Sequence, residues 1–198
     1  MLDGSYNVCM HKPHIFLAGI TLLALTVGGF TLAQEAPQGN AAKRRKKDSV
    51  SPHETKTWTI QGKKITISYG RPYKKGRVIF GGLEPWGKVW RTGADDATTF
   101  TTASDVMVGP LHVVAGTYGL FTIPNEKEWT LILNKVWDQW GAFRYDQSQD
   151  YARTPMKVEK SPSPIEQLTI DIESKGGDMG LLKIMWDDTV ASVPIQVH

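Results

Sequence analysis

Apolar and polar residues alternate along most of the chain from residue 55 onward, which is the pattern of strands that bury one face. In the first example, Trp58 and Ile60 precede the turn at 61–63, and Ile65, Ile67 and Tyr69 follow it. Further β-like runs, separated by turn residues, span 98–103, 106–108, 111–114, 117–123, 129–134, 168–172, 181–186 and 190–197. Beyond the N-terminal apolar run, no window has the three- and four-residue spacing of an amphipathic helix.

These roughly nine or ten short strands, with turns every 8 to 12 residues, predict an all-β fold, an antiparallel β-sandwich of the jelly-roll type. Residues 52–198 are long enough for one such domain with a sizeable core. Turns are expected at 176–177 and at Asp187-Asp188. Pro194 lies in the last run, and because proline lacks a backbone N–H, we expect this strand at a sheet edge.

One stretch interrupts the alternation. Between Tyr69 and Thr98 the chain has six glycines, two prolines and two tryptophans. Glycine and proline at this density specify a shaped loop rather than a strand or helix. Loops held by a rigid scaffold are where binding and catalytic groups concentrate, so this loop is the candidate site.

The N-terminus has the features of a secretory signal peptide. Residues 15–30 are apolar and uncharged, Lys12 precedes them, and the small residues of Thr31-Leu32-Ala33 suit cleavage after Ala33. An uncleaved anchor stays open as the alternative, although the run is shorter than the roughly 20 residues a span needs. A start at Met10 would also give an ordinary signal. We therefore predict a signal peptide over 1–33 and a periplasmic or extracellular mature protein.

A disordered basic linker is predicted over residues 34–51, since it contains Lys43-Arg44-Arg45-Lys46-Lys47 and almost no large apolar residue. From Asp48 onward 17 Lys and Arg face 18 Asp and Glu, so the formal charge of +3 comes from the N-terminal part. A neutral domain predicts no nucleic-acid partner. The only cysteine, Cys9, precedes the apolar run, so the mature chain would have no disulfide or thiolate metal site. Cleavage after Ala33 would also leave the mature chain without a membrane span.

Arg91, Asp95 and Asp96 form the sharpest local constellation. The planar guanidinium suits a carboxylate, a phosphate or a pair of sugar hydroxyls, and the carboxylates can accept sugar hydroxyls. The alternative is an internal ion pair between Arg91 and one aspartate that pins the loop. Both interpretations stay open at the level of sequence.

Basic and aromatic side chains extend this constellation. Arg71 is fixed between Gly70 and Pro72, and exposed aromatic rings in loops could stack on a sugar face or instead seal the core. The predicted ligand-contacting residues are Arg71, Tyr73, Arg77, Trp86, Trp90, Arg91, Asp95, Asp96 and Trp140.

Other chemistry is weakly indicated. Glu84 could pair with Asp95 or Asp96 as two acids across a cleft, but nothing in the spacing selects it. His53 is assigned to the linking segment before the alternation begins at residue 55, and His112 is expected to be a half-buried strand residue. The sequence lacks a nucleophile motif, a phosphate-binding loop and a histidine cluster, so no cofactor and no metal is expected.

Several motifs resemble a known family. They are Tyr69-Gly70-Arg71-Pro72, Ile79-Phe80-Gly81-Gly82-Leu83, Gly87-Lys88-Val89-Trp90-Arg91-Thr92-Gly93-Ala94, Ala115-Gly116-Thr117-Tyr118 and Leu120-Phe121-Thr122-Ile123-Pro124. Together they resemble the bacterial secreted family catalogued as domain of unknown function twenty-nine eleven, from about Ser51 to the C-terminus. The resemblance implies a signal peptide and no assigned reaction. That family usually has Asn-Glu where this chain has Asp95-Asp96, so an acid is kept at 96 and the amide at 95 is not.

Three functions are compatible with this sequence. The first is binding of a small polar or carbohydrate-like ligand, or a glycan, at the Arg71–Asp96 loop. The second is a cell-envelope hydrolase or lyase with Asp96 as base and Arg91 stabilising negative charge. The third is a structural or protein-interaction module of the envelope, in which the loop is an ordered cap.

Overall fold

The computed structural model describes residues 51–198. The predicted signal peptide and all of the predicted linker except Ser51 lie outside the described residues. Within 51–198, no helix has the length and apolar character needed to cross a membrane.

Nine strands account for most of the described chain, and their bounds follow the predicted alternation closely in the first two thirds. The strands are β1 His53–Ile60, β2 Lys63–Gly70, β3 Thr98–Thr102, β4 Val106–Val108, β5 Leu111–Val113, β6 Gly116–Ile123, β7 Glu128–Asn134, β8 Asp150–Gly176 and β9 Met179–Val197. The only helical element in this part of the chain is a short 3₁₀ turn, Gln147–Gln149.

All nine strands belong to one antiparallel sheet, in the order β1-β2-β3-β6-β7-β8-β9-β4-β5. The prediction of an all-β antiparallel domain is confirmed. The two-sheet jelly-roll is not confirmed, because the strands form one continuous hydrogen-bonded sheet that is not divided into two.

The position predicted for Pro194 is wrong, since β9 lies between β8 and β4 instead of at an edge. Pairing of β9 with β8 goes no further than Ser192, opposite Lys157, so Pro194 lies past that ladder. On the other side its carbonyl accepts a hydrogen bond from the Gly109 N–H at 2.8 Å. The N and C=O of one strand residue face the same side, so the missing Pro194 donor also points toward Gly109. The ladder between β4 and β9 ends at Val108, opposite Ile195, so an interior strand tolerates proline here because it lies just past that ladder as well.

The turn predicted at Asp187-Asp188 is also wrong, because both residues lie inside β9. Asp187 has a left-handed φ of 55°, and the register between β8 and β9 shifts on either side of Ile165, its partner. The two residues therefore form an irregularity that bends a long hairpin without ending it.

Most buried apolar side chains form one cluster, and the two edge strands of the sheet, β1 and β5, both contribute to it. Its fully buried members include Ile65, Leu120, Trp129, Ile170 and Val193. β1 and β8 are not neighbours in the sheet, yet Asp171 accepts hydrogen bonds from Lys56 Nζ at 2.5 Å and Trp58 Nε1 at 3.0 Å. The sheet therefore curves so that one face encloses a shared core.

The loop between β2 and β3 contributes to this core. Ile79 and Phe80 are buried, and Trp90 is only 3% exposed. The Phe80 ring packs edge-on against Trp129 at 4.7 Å, and Trp90 stacks on Trp186 at 6.0 Å between ring centroids. Trp90, predicted to contact a ligand, is thus a core residue, because its ring fills the space between the sheet's aromatic side chains.

Candidate functional site

The predicted loop lies where the sequence places it, since β2 ends at Gly70 and β3 begins at Thr98. Its first part follows β8. The Lys74 N–H donates to the Glu166 carbonyl at 2.6 Å, and the Leu168 N–H donates to the Pro72 carbonyl at 3.0 Å. These bonds fix residues 71–74 against the sheet.

The last part of the loop follows the end of β6. Trp90 and Thr122 exchange two backbone hydrogen bonds, of 2.7 and 2.9 Å, and the Gly87 N–H donates to the Pro124 carbonyl at 2.8 Å. The loop is therefore irregular in shape but anchored along its length, which suits a preorganised site.

Two residues of this part adopt left-handed backbone conformations, Thr92 with φ 56° and Asp95 with φ 65°. A β-branched residue in this region is a true outlier, and such strain costs on the order of 1–3 kcal/mol. Buried contacts hold Thr92 in place: its Oγ1 lies 3.0 Å from Thr122 Oγ1, and its carbonyl accepts from Thr98 Oγ1 at 2.9 Å. Strain of this kind concentrates at functional sites.

The strained turn forms one wall of a cavity of about 430 Å³, which we call the Arg91 cavity. Four of the predicted site residues line it: Tyr73, Arg77, Arg91 and Asp95. Glu84, which the sequence did not select, lines it as well.

Arg91 is half-buried at this cavity, and within the described residues 51–198 its Nε has no hydrogen-bond partner. Its side chain forms no ion pair or hydrogen bond with any other residue of 51–198. The internal pair with Asp95 or Asp96, considered from the sequence, is thus not formed within the described part of the chain. Buried donors are normally satisfied, so this orphaned N–H requires an explanation.

Asp95 is instead bonded to His53, whose Nε2 lies 3.0 Å from Asp95 Oδ2. His53 was expected to precede the first strand, but it is the first residue of β1. The alternation starting at residue 55 gave no sign that pairing with Gly70 extends the strand back to 53. A histidine therefore supports the wall of the cavity.

Glu84 was considered from the sequence as one of a pair of acids but was not selected as a site residue. Burial raises the pKa of its carboxyl to about 7, although the positive charges of Arg91 and Arg77 act to lower it. Its side chain makes no hydrogen bond or ion pair with the other described residues. Glu84 belongs to a turn in which its N–H bonds the Ile79 carbonyl at 2.9 Å, and this turn places Glu84 at the cavity. In the sequence, Gly81 and Gly82 were the only signal of such a turn.

Arg77 is held by the loop's own backbone. Its Nε donates to the Lys74 carbonyl at 2.9 Å, and one terminal nitrogen donates to the Tyr73 carbonyl at 2.5 Å. A guanidinium fixed in this way contributes positive charge to the cavity without reorganisation when a ligand arrives.

Arg71 does not line the Arg91 cavity. Its Nε donates to the Leu168 carbonyl and a terminal nitrogen donates to Thr169 Oγ1, both at 3.0 Å. Its other terminal nitrogen lies 3.4 Å from a carboxylate oxygen of Glu54. Arg71 thus pins the loop to β8 and β1, the structural role that the sequence had suggested for Arg91.

The remaining predicted residues lie at other cavities. Asp96 lines one of about 290 Å³ together with His53. Trp86, over Phe80, lines another of about 570 Å³. Trp140 stacks on Phe143, with ring centroids 5.5 Å apart, at a fourth. The structure therefore separates Asp96, Trp86 and Trp140 from Arg91. In the described chain no group of three or more His, Cys, Asp or Glu is placed to hold a metal.

Comparison with known families matches residues 51–195 to the model described as "Protein of unknown function (DUF2911)". The chain belongs to the DUF2911 family. The match covers the loop, its cavity and all strands except the last two residues of β9, so the resemblance seen in the motifs is confirmed. Neither curated proteins nor solved structures gave a match. The DUF2911 description assigns no activity, and function must be argued from the geometry.

Proposed function

We propose that this protein binds a small polar, carbohydrate-like ligand in the Arg91 cavity. The observation that supports the proposal is Arg91, which lines a cavity large enough for a small molecule and whose buried Nε has no hydrogen-bond partner among residues 51–198. An unsatisfied buried donor costs about 1–3 kcal/mol, and more when it is charged, and a ligand oxygen would remove this cost.

The shape of the cavity agrees with such a ligand. Cavities of roughly 300–1,000 Å³ are typical of small-molecule sites, and the Arg91 cavity falls at the low end. Tyr73 is 41% exposed at its wall, which leaves aromatic surface available to a sugar face. With the export expected from the sequence, the ligand would be met outside the cytoplasm.

A thermal-shift screen of the full-length protein tests the proposal. The panel contains neutral sugars, sugar acids, polysaccharide fragments, divalent metals and small anions. A ligand at 100 times its Kd stabilises the native state by about 2.7 kcal/mol, so we expect a rise of several degrees in Tm. In Arg91→Gln this rise should be lost.

Lys88→Gln is the matched control for that variant. Lys88 is an exposed cation of the same loop that lines none of the four cavities described above. Its removal should leave the ligand-induced rise unchanged. An unchanged rise in Arg91→Gln would refute the proposal. Absence of any response, with a large loss of stability in Arg91→Gln, would instead support the structural or interaction module.

A second candidate is a hydrolase or lyase acting on polysaccharide, and one observation favours it. Glu84 lines the Arg91 cavity, and burial raises the pKa of its carboxyl to about 7, where it can both donate and accept a proton at neutral pH. The base would then be Glu84 rather than Asp96, which lines a different cavity. Reducing-sugar release from a polysaccharide panel should disappear in Glu84→Gln while binding persists. Equal turnover in this variant would eliminate the candidate.

A further inference from the structure

We infer that the ligand of the Arg91 cavity carries an oxyanion, and that Glu84 binds it in the protonated form, so that binding takes up a proton. The inference rests on the proposed function and names the chemical class of the ligand. A carboxylate, a sulfate or a phosphate shares this chemistry.

The first support is that two ionisable side chains of the described chain, Arg91 and Glu84, line one cavity without pairing with each other. Arg91 and Glu84 both line it, yet their side chains make no ion pair or hydrogen bond with each other or with other residues of 51–198. The space between them suits a group that accepts from both sides. An oxyanion does so, since it can accept from the guanidinium and from the O–H of a neutral carboxylic acid.

The second support is the balance of charge around that space. The cations Lys75, Arg77 and Arg91 line the cavity, against the two acids Glu84 and Asp95. Asp95 is already bonded to His53 at 3.0 Å. With Glu84 neutral, the cavity has an excess of positive charge that a neutral sugar would not use.

The third support is the effect of the ligand on Glu84. Burial already raises the pKa of Glu84 to about 7 against the opposing charges of Arg91 and Arg77. A bound oxyanion would neutralise those charges and add a negative one beside the carboxyl. Both effects raise the pKa further, so part of the Glu84 population gains a proton on binding at neutral pH.

The contribution of Glu84 to any pH effect must be distinguished from that of the other charged groups at the cavity. Tyr73, Lys75, Arg77 and Asp95 line the same cavity, and His53 reaches it through Asp95. On the neighbouring β8, a side-chain oxygen of Glu166 accepts from the Lys75 N–H at 2.9 Å. His53→Gln is therefore the control variant that separates an effect of the His53–Asp95 pair from that of Glu84.

Titration calorimetry of the full-length protein tests the inference. The probes are sulfate and D-glucuronate, which keep a constant charge between pH 6 and 8, and D-glucose as the neutral control. Because a group with a pKa of about 7 loses most of its proton over this range, both anions should bind about tenfold more weakly at pH 8 than at pH 6. Sulfate and D-glucuronate together distinguish an inorganic oxyanion from a sugar acid.

Proton uptake is measured directly by repeating the titrations at pH 7 in two buffers of different ionisation enthalpy. We expect the wild-type protein to take up about half a proton per oxyanion bound, which follows from a pKa of about 7. Glu84→Gln should bind with no pH dependence and no uptake. His53→Gln should keep the wild-type pH dependence.

Each contrary result has a distinct meaning. Equal anion affinity at pH 6 and 8, with heats independent of buffer, would overturn the coupling to Glu84 and leave the proposed function intact. A pH dependence lost in His53→Gln but kept in Glu84→Gln would assign the proton to His53.

The identity of the ligand is tested separately. Tighter binding of D-glucose than of D-glucuronate would overturn the inference that the ligand carries an oxyanion. Absence of binding by all three probes would overturn this inference, and the thermal-shift screen would still decide the proposed function separately. The wild-type uptake measurement needs no variant, so it stands even if Glu84→Gln does not fold.

Discussion

At the scale of single residues, the closure of the loop depends on Gly70. A Cβ at this position would lie 2.2 Å from the carbonyl oxygen of Ala94, a backbone atom that no side-chain rotation can move. We therefore expect Gly70→Ala to lower the free energy of unfolding by about 2–3 kcal/mol. Urea unfolding followed by far-UV circular dichroism measures this change.

Gly62→Ala is the comparison for that variant. A Cβ at Gly62 would meet nothing within 4 Å, but the residue has φ of 77°, so the substitution costs about 1 kcal/mol from backbone strain alone. If Gly70→Ala proves no more destabilised than Gly62→Ala, the two ends of the loop can separate at little cost. The Arg91 cavity, whose wall includes Ala94, would then not be preorganised.

Single residues also mark where sequence reasoning about the site reaches its limit. Arg71 and Arg91 are equally suited to anion binding by their chemistry, and only their partners distinguish them. The hydrogen-bond acceptors of Arg71 lie on β8, 97 and 98 positions further along the chain, and its ion-pair partner Glu54 lies on β1. Local sequence contains no information about such contacts, so the roles of the two arginines could not be assigned without the fold.

At the scale of elements, the strands with clear alternation were predictable and the others were not. Residues 150–160 of β8 include Pro155 and charged residues at both ends. They lack the regular alternation of apolar and polar residues that would indicate a strand. They become extended because residues up to Lys157 pair with β7, Pro155 facing Thr130, and residues 157–160 pair with β9. Tertiary pairing here overrides local preference, as it often does for strands.

Tertiary contacts also override local preference in the long hairpin of β8 and β9. Two adjacent aspartates ordinarily indicate a turn, but Asp187 and Asp188 lie within β9. Lys74 forms an ion pair with Asp187 and links it to the loop. An acidic irregularity inside a strand is therefore stabilised by a residue over 100 positions away, which explains why the sequence predicted two strands here.

At the scale of the whole molecule, the loop is part of the core and should unfold with the sheet. Phe80 and Trp90 pack against Trp129 of β7 and Trp186 of β9, so removing the loop from the sheet would expose all four rings. Urea unfolding monitored by tryptophan fluorescence and by far-UV circular dichroism should give coincident transitions.

Hydrogen exchange tests the same cooperativity at single amides. The Trp90 N–H, bonded to the Thr122 carbonyl at 2.7 Å, should exchange with a free energy close to the global value, like the amides of β7. The Lys75 N–H, which bonds an exposed carboxylate, should exchange by local opening and serves as the internal control. A Trp90 amide that exchanges as easily as Lys75 would mean that the loop opens independently of the sheet. The Arg91 cavity would then be formed only part of the time, and the affinity of its ligand would fall by that fraction.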